Sequence, residues 1–225
     1  LIKTIYSIQN TKIVINGETT DNIKICKGVR QGCPLAPLLY ILSAEVLLTQ
    51  IKKNQNIQGL TIKQETYKLQ AFADDMVFIM EDPKESSKKL MQEIEAFGKV
   101  AGLKIKREKT KIITKNCTKK QNEELTKELE IQTTKKVKYL GIWLTANCST
   151  IKADNYDKLI DQIQKDLGRW VNLQFSWMRR IATIKTNVLP KLLYLFQTVP
   201  VKLGKKFFED LNKRISKFIW QKKKS

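Results

Sequence analysis

The fold of this chain is decided by YKLQAFADDMVFIM, residues 67–80. Residues 67, 69, 71 and 73 are aromatic or apolar, and this spacing of two is the side-chain period of a β-strand. Residues 76–80 are apolar throughout, as in a strand covered on both faces. We therefore predict a hairpin of two strands, buried on both faces, with Asp74 and Asp75 at the turn between them.

Strands and helices alternate on both sides of this hairpin. Upstream, Asn16-Gly17 is a strong turn signal and predicts a hairpin over residues 11–25. Residues 35–53 are apolar nearly all round, which predicts a buried helix, and residues 60–63 predict a short strand. Downstream, Asp82-Pro83 starts a predicted helix that Gly102 ends. It is followed by predicted strands at 103–105 and 111–114, a polar helix at 121–129 and a strand at 137–145.

Beyond about residue 150 the pattern indicates helices alone. Three are predicted, over residues 152–171, 176–198 and 204–220, and Pro190 is expected to kink the second because it has no backbone N–H. The predicted fold class is therefore α+β. A domain boundary near 146–152 divides the chain into residues 1–148, with sheet and helix, and residues 149–225, with helix only.

The chain is strongly basic, and the charge is unevenly spread. Its 225 residues include 42 Lys and Arg against 22 Asp and Glu, a net charge of +20. Residues 171–225 hold 13 basic and 2 acidic residues. An excess of this size predicts a polyanionic partner, either nucleic acid or an anionic membrane, although a charged helical run is also typical of a plain solvated face.

The composition excludes several kinds of site and of location. The chain contains no His, which rules out Ser-His and Cys-His nucleophiles and the HExxH and C₂H₂ zinc sites. The longest apolar run, residues 35–48, contains Pro37 and Glu45 and is too short to span a bilayer, so we expect no membrane partner. Without a signal-peptide pattern or disulfide spacing, we expect an intracellular protein of cytoplasm and nucleus.

Asp74 and Asp75 are the first candidate site residues. Two adjacent carboxylates in a turn are most often ordinary turn residues. Here apolar strands flank the pair, so two like charges are held beside a core, where they repel each other and favour a counter-charge. A divalent cation such as Mg²⁺ takes oxygen ligands and would supply that charge, with one Asp as a ligand and the other in support.

The loop at residues 30–34 is the second candidate. Gly32 before a helix start allows the backbone to approach a substrate closely, and Arg30 and Gln31 beside it carry donors for phosphate or base edges. By itself the same pattern is also typical of a plain Gly-Pro turn that leads into a helix.

Taken in order, these motifs resemble a known family. GVRQGCPLAPLLY (residues 28–40) followed by FADD (72–75) is similar to the reverse transcriptases of non-LTR retrotransposons, the long interspersed elements. Further segments match in sequence order: AGLKI (101–105) through Lys109-Thr110, KYLGI (138–142), SWMRRI (176–181), LPK (189–191) and FIW (218–220). The resemblance extends over nearly the whole chain.

The resemblance implies a right-hand polymerase that adds dNTPs to a DNA primer on an RNA template. Residues 1–148 would be part of the fingers and palm, and residues 149–225 the helical thumb with the start of the following connector. Asp74 and Asp75 match the catalytic, metal-binding pair, which would hold two Mg²⁺ ions in the complete enzyme. The residues that would contact nucleotide and template are Arg30, Gln31, Gly32, Phe72, Ala73 and, for the leaving pyrophosphate, Lys109. On the thumb, we expect Arg179, Arg180, Lys185 and Lys191 to contact the nucleic-acid backbone.

The sequence also departs from the family pattern. The family's metal site uses a further Asp from an earlier strand, and the only Asp before position 74 is Asp21, in a polar loop. A chain that starts Leu-Ile-Lys-Thr is expected to be a piece of a longer protein. We therefore expect the isolated 225 residues not to extend a primer.

Two alternatives remain open at this stage. One is a nucleic-acid-binding relic that keeps fold and charge and has lost catalysis; the other is a generic α/β interaction domain in which the Asp pair is a plain turn. Four tryptophans, Trp143, Trp170, Trp177 and Trp220, offer rings for base stacking, but their Leu and Ile neighbours favour a place in the core.

Overall fold

The chain forms two compact units in its computed structural model, which describes residues 1–26, 28–29 and 32–221. The N-terminal unit is Leu1–Ile105 and the C-terminal unit is Lys106–Ser225. The predicted boundary near residue 148 falls inside the C-terminal unit. Because compactness and function can divide a chain at different residues, the division into 1–148 and 149–225 stays a prediction.

The N-terminal unit begins with helix α1 (Ile2–Tyr6) and two nested strand pairs. Strand β1 (Asn10–Thr11) pairs with β4 (Ile23–Lys24), and β2 (Val14–Ile15) pairs with β3 (Glu18–Thr19), all antiparallel. Asn16 and Gly17 connect β2 to β3 with φ of +52° and +89°. Positive φ at both positions is the geometry for which Asn-Gly is favoured, so the hairpin predicted over residues 11–25 is confirmed.

Helix α2 (Ala36–Lys53) leads to two further hairpins and a long helix. Strand β5 (Leu60–Ile62) pairs with β6 (Glu65–Tyr67), and β7 (Leu69–Phe72) pairs with β8 (Asp75–Phe78). Helix α3 spans Pro83–Ala101. The Asp82 side chain accepts a hydrogen bond from the Lys84 N–H at its start, and Gly102 ends it with φ +71°, as predicted.

The core of the N-terminal unit lies between α2, α3 and one face of the β7–β8 hairpin. Leu47 and Ile51 of α2 and Leu90 of α3 are buried there against Leu69 and Phe78, which lie opposite each other in the hairpin. The prediction that the hairpin is buried on both faces is wrong, because the described residues cover this one face and leave Phe72 63% exposed. Helix α2 is likewise buried on one side only; its exposed apolar residues are Leu38, Ile41, Leu42 and Val46.

The C-terminal unit begins with short strands around one helix. Strand β9 (Lys111–Ile112) pairs in parallel with β10 (Gln132–Thr133), and helix α4 (Lys119–Leu129) lies between them in sequence. Strand β11 (Lys136–Tyr139) pairs antiparallel with β12 (Ile142–Thr145). The single strand predicted over 137–145 is therefore wrong, since Leu140 and Gly141 turn the chain with φ of +45° and +85°. The strand predicted at 103–105 is also absent from these described residues, which follow the αL cap of Gly102 in irregular conformation.

A buried asparagine joins this hairpin to the helices. Asn155 is 5% exposed and lies in a π-helical segment, Ala153–Asp157. Its Oδ1 accepts a 2.7 Å hydrogen bond from the Trp143 N–H, and its Nδ2 donates to the Trp143 carbonyl at 3.0 Å. The same Nδ2 donates to the Ile151 carbonyl at 3.0 Å. One side chain thus satisfies both backbone groups of a residue in β12.

The rest of the described chain, to residue 221, is helical, as predicted. Helix α5 (Lys158–Val171) follows a 3₁₀ turn (Cys148–Thr150) and the π-helical segment. The next helical stretch consists of α6 (Trp177–Thr183), a second π-helical segment (Ile184–Val188) and α7 (Leu189–Thr198). The last helix is α8 (Lys205–Trp220). The second π segment ends just before Leu189-Pro190, where proline cannot donate the helical hydrogen bond, and the kink predicted at Pro190 stays a prediction. None of the described helices is long and apolar enough to cross a membrane.

The helices pack around two buried clusters. One contains Leu167 of α5, Leu192 of α7 and Phe218 of α8. The other contains Tyr156, which is 1% exposed and whose hydroxyl lies 2.8 Å from the Leu195 carbonyl oxygen. Helices together with small, mostly antiparallel sheets confirm the α+β class.

Candidate active site and nucleic-acid surface

The Asp pair lies at the tip of the β7–β8 hairpin. Phe72 pairs with Asp75, so Ala73 and Asp74 form the two-residue loop and Asp75 is the first residue of β8. Asp74 and Asp75 are both exposed. The predicted hairpin with its Asp pair at the turn is confirmed, and the two carboxylates differ in setting: one is in the loop, the other on the strand.

Ala73 gives the loop an unusual backbone. Its φ is +51°, a left-handed conformation that costs a residue with a Cβ on the order of 1 kcal/mol. A two-residue hairpin loop requires positive φ at this position, so the conformation follows from the tight turn. A side chain from outside the hairpin also bonds to the loop. The Tyr40 hydroxyl of α2 donates a 3.0 Å hydrogen bond to the Ala73 carbonyl oxygen.

The carboxylate of Asp74, next to that bond, affects the pKa of Tyr40. This pKa is raised above the usual value of a tyrosine, first by burial and second by the negative charge of Asp74. A tyrosine hydroxyl is neutral at physiological pH in any case, and the raised pKa extends the pH range in which this one can donate to the carbonyl. The structure thus brings together Phe72, Ala73, Asp74 and Asp75 of the predicted site, with Tyr40 as support.

The glycine loop is described in part. Gly32 is exposed with φ +84°, and among the described residues no atom beyond its chain neighbours lies within 4 Å of the position that a Cβ would take. The backbone there is open to close approach, as a substrate loop requires. Next to it, the Tyr6 hydroxyl and the Cys33 sulfur form a 3.1 Å hydrogen bond between α1 and the loop. Arg30 and Gln31 lie outside the described residues, so their predicted contacts stay predictions.

The hairpin tip offers part of a metal site. Carboxylate oxygens are the donors that Mg²⁺ prefers, and Asp74 and Asp75 present two such groups in exposed positions. Among the described residues, no three or more Asp, Glu, Cys or His side chains are grouped closely enough to hold a metal ion. Asp21 therefore does not join the pair in such a group. The donor type fits a divalent cation, and the tip supplies two carboxylates toward it.

Lys109 belongs to the C-terminal unit. It lies exposed in a tight turn in which its N–H donates a 3.0 Å hydrogen bond to the Lys106 carbonyl. The role predicted from the resemblance, at the leaving pyrophosphate, stays a prediction.

The predicted backbone-binding cations lie on α6, α7 and the segment between them. Arg179, Lys185 and Lys191 are exposed. The Arg179 guanidinium lies 4.6 Å from the centre of the Phe175 ring, and the Lys191 ammonium lies 3.9 Å from an Asp166 carboxylate oxygen. Arg180 is half-buried, and its guanidinium donates a 3.1 Å hydrogen bond to the Ile219 carbonyl at the end of α8. Arg180 thus has a structural contact in addition to its predicted role.

A family model described as reverse transcriptase (RNA-dependent DNA polymerase) matches residues 1–144. The chain belongs to the reverse transcriptase family. The matched range includes the glycine loop, the Asp pair and Lys109, and it ends within β12, before the helices that follow this strand.

Two curated relatives extend the likeness of this reverse transcriptase to nearly its full length. The chain is 24% identical over 227 residues to the Transposon TX1 uncharacterized 149 kDa protein of Xenopus laevis. This alignment covers 97% of the chain and 17% of that protein. The chain is 27% identical over 202 residues to the Retrovirus-related Pol polyprotein from type-1 retrotransposable element R2 of Popillia japonica, covering 86% of this chain and 32% of that protein. The chain thus spans a minor part of each relative's length. These matches confirm the resemblance to the reverse transcriptases of non-LTR retrotransposons.

Sequence reasoning missed two features of this reverse transcriptase. The sequence showed Tyr40 only as the last residue of a motif, whereas in the structure its hydroxyl donates a hydrogen bond to the loop just before Asp74. Trp177 and Trp220 were expected in the core and are 48% and 66% exposed instead. A pattern of Leu and Ile neighbours could not reveal either, because one depends on how α2 meets the hairpin loop and the other on how α6 meets α8.

Proposed function

We propose that the chain is the catalytic portion of an RNA-directed DNA polymerase, which transfers a nucleotide from a dNTP to a primer 3′-hydroxyl. The observation that carries the proposal is the hairpin tip: two exposed carboxylates on successive residues, in a loop that a helix from the glycine motif supports. Membership of the reverse transcriptase family supports the same chemistry. It argues against a generic interaction domain in which the Asp pair is a plain turn.

In this proposal Asp74 and Asp75 hold the divalent cations of the site. Mg²⁺ bound there would stabilise the charge that develops on the attacking and leaving oxygens. Phe72 and Ala73, which adjoin the pair, would face the nucleotide, and Gly32 with Arg30 and Gln31 would line its other side. Tyr40 would keep the loop in position by its bond to the Ala73 carbonyl.

The two parts of a right-hand polymerase are assigned in the same way. Residues 1–148 would contribute palm and part of the fingers, and residues 149–225 the thumb. Residues 149–225 hold 17 basic and 6 acidic residues, a net +11 of the chain's +20, and Arg179, Lys185 and Lys191 are exposed on their helices. Such cations would hold the phosphates of an RNA template and a DNA primer with little sequence preference.

We infer that the isolated 225 residues bind metal weakly and do not extend a primer. Two carboxylates at one hairpin tip offer few ligands for two ions, and a third carboxylate from an additional segment would complete the set. A nucleic-acid-binding relic without catalysis is the second candidate, because it shares the fold and the charge. Only primer extension by a longer protein separates the two.

The test compares Asp74→Asn with Glu81→Gln, a matched removal of one negative charge from an exposed residue beyond the same hairpin. In a longer protein that contains these residues, Asp74→Asn should abolish Mg²⁺-dependent extension of a DNA primer on RNA while template binding is kept. Glu81→Gln should extend normally. In the 225-residue chain, Mn²⁺ binding followed by electron paramagnetic resonance should fall with Asp74→Asn alone. Normal extension by Asp74→Asn would overturn the assignment of the hairpin as the catalytic centre.

A further inference from the structure

Two tryptophans from the start of α6 and the end of α8 meet on the surface of the C-terminal unit. Trp177 is the first residue of α6 and Trp220 the last of α8. Their ring centroids are 5.8 Å apart with the planes inclined by 36°, and the rings remain 48% and 66% exposed. Met178 beside them is 69% exposed. We name Trp177, Met178 and Trp220 the tryptophan platform.

The platform is held by the helix ends around it. The Ser176 hydroxyl oxygen accepts a 3.3 Å hydrogen bond from the Arg179 N–H and caps α6. The Arg180 guanidinium donates to the Ile219 carbonyl, next to Trp220. The Gln221 amide donates a 3.2 Å hydrogen bond to the Val171 carbonyl at the end of α5. Because these three contacts hold the backbone from which the rings project, the protein would lose less conformational entropy there when a ligand binds.

The charge around the platform favours an anionic ligand. No Asp or Glu occurs between Asp166 and Glu209 or after Asp210. Asp210 is ten residues before Trp220 on the same helix, roughly 15 Å away at the helical rise of about 1.5 Å per residue. Arg179 and Lys217 are exposed on the two helices that carry the rings. Exposed aromatic rings beside cations are the combination that holds bases and phosphates together.

We propose that the tryptophan platform stacks an unpaired base of a single-stranded nucleic acid, with Arg179 and Lys217 against the adjoining phosphates. In a duplex the flat faces of the bases are covered by their neighbours, so an exposed ring pair selects an unpaired strand or a strand end. This site is separate from the proposed catalysis, because it uses no residue of the Asp74 hairpin. It adds a contact for single strands to a surface whose remaining cations suit any phosphate backbone.

The experiment uses two probes that differ only in their bases: a fluorescent single-stranded oligouridylate, and the same backbone with abasic sugars. The 225-residue chain should bind the first about tenfold more tightly, the size of one stacking contact. Trp177→Leu and Trp220→Leu should each remove most of that preference and leave binding to the abasic strand unchanged. Trp220→Phe should keep part of it, because a ring remains.

Phe208→Leu is the matched control, since Phe208 is a 47% exposed aromatic residue of α8 near its other end. Phe208→Leu should retain the full preference for the oligouridylate over the abasic strand. Asp74→Asn should retain it as well, so that a failure of the stacking proposal can be distinguished from a failure of the catalytic proposal. Equal binding of the two strands by the unmodified chain would overturn the proposal, and this measurement needs no variant to fold. A preference that both Trp→Leu variants retain would also overturn it. The proposal would also be overturned if the oligouridylate does not quench tryptophan fluorescence, because this result would mean that another protein segment covers the rings.

Discussion

The Tyr40 hydroxyl donates a 3.0 Å hydrogen bond to the carbonyl oxygen of Ala73, the residue immediately before Asp74. The two residues are 33 positions apart in the chain and belong to the two motifs that carry the family resemblance. One bond thus connects the helix behind the glycine loop to the hairpin tip. Since Ala73 is held at φ +51°, the bond also sets how the backbone enters the Asp pair.

Removal of that hydroxyl should disturb the site more than the fold. Tyr40→Phe keeps the ring on α2 and leaves the Ala73 carbonyl to water, so the free energy of unfolding should fall by only about 1 kcal/mol. In a longer, active protein, kcat for primer extension should drop severalfold while template affinity is unchanged. Tyr67→Phe is the matched control, because the Tyr67 hydroxyl bonds to the exposed Glu65 side chain instead. Equal kcat for Tyr40→Phe and the parent would contradict a positioning role.

Two glycines should respond in opposite directions to alanine. A Cβ at Gly59 would lie 2.4 Å from Lys68 Cγ and 2.6 Å from the Tyr67 carbonyl oxygen, so Gly59→Ala should lower the free energy of unfolding by ~1–3 kcal/mol. At Gly168 in α5, no atom of the described residues lies within 4 Å of that position, apart from its chain neighbours and the backbone of its own helix. Gly168→Ala should therefore stabilise the chain by up to ~1 kcal/mol through helix propensity. Urea denaturation of both variants checks the pair, and a stabilising Gly59→Ala would contradict the packing around β5 and β6.

Binding to nucleic acid should depend on salt and on the cations of the C-terminal helices. If about five phosphates are contacted on a duplex, log affinity should fall against log salt with a slope of roughly −4. Charge reversal at Arg179 and Lys185 should weaken binding and flatten that slope. The same reversal at Lys119 and Lys120 of α4, both exposed, should change it less. Fluorescence anisotropy at several salt concentrations measures the slope; an affinity independent of salt would exclude a phosphate-binding surface. Arg180 is left out because its bond to Ile219 would confound binding with stability.

The stability of the C-terminal unit should fall in strong acid through Asp154. Hydrogen bonds from Lys158 at 2.9 Å and Lys136 at 3.0 Å lower the pKa of Asp154 from 3.8 to about 2. Because the folded value lies below the unfolded one, this contribution is complete above pH ~4 and is lost as the pH falls through about 2. Urea midpoints for the parent and Asp154→Asn should differ at pH 5 and converge near pH 2. Asp21→Asn, in an exposed loop, should show no such convergence.

Local signals in the sequence predicted much of the fold. Asn16-Gly17 and Gly102 act through their own backbone and Asp82 through a side-chain bond two residues away, and each element that they define is confirmed. The strand predicted over 137–145 failed because Leu140, not a typical turn residue, takes a positive φ beside Gly141. The extent of burial was also beyond prediction, since whether Phe72 or the outer side of α2 is covered depends on which segments pack there.

The candidate active site was likewise predicted only in part. Asp74 and Asp75 were found because adjacent carboxylates between apolar strands are distinctive in sequence. Tyr40 was not, because its contribution is a hydrogen bond made only when α2 packs beside β7. The tryptophan pair followed the same rule, since Trp177 and Trp220 meet only after α6 and α8 have packed.

Asn155 has a further consequence for the behaviour of the chain in solution. Strand β12 pairs with β11 on one side, and the N–H and C=O of Trp143 point to the other side, where the Asn155 amide occupies both. A free strand edge is a template on which a second molecule can add a strand and begin to aggregate. The amide imitates one residue of such a strand and leaves the edge closed at its midpoint. Replacement of this single side chain would therefore leave the N–H and C=O of Trp143 open to a strand from a second molecule.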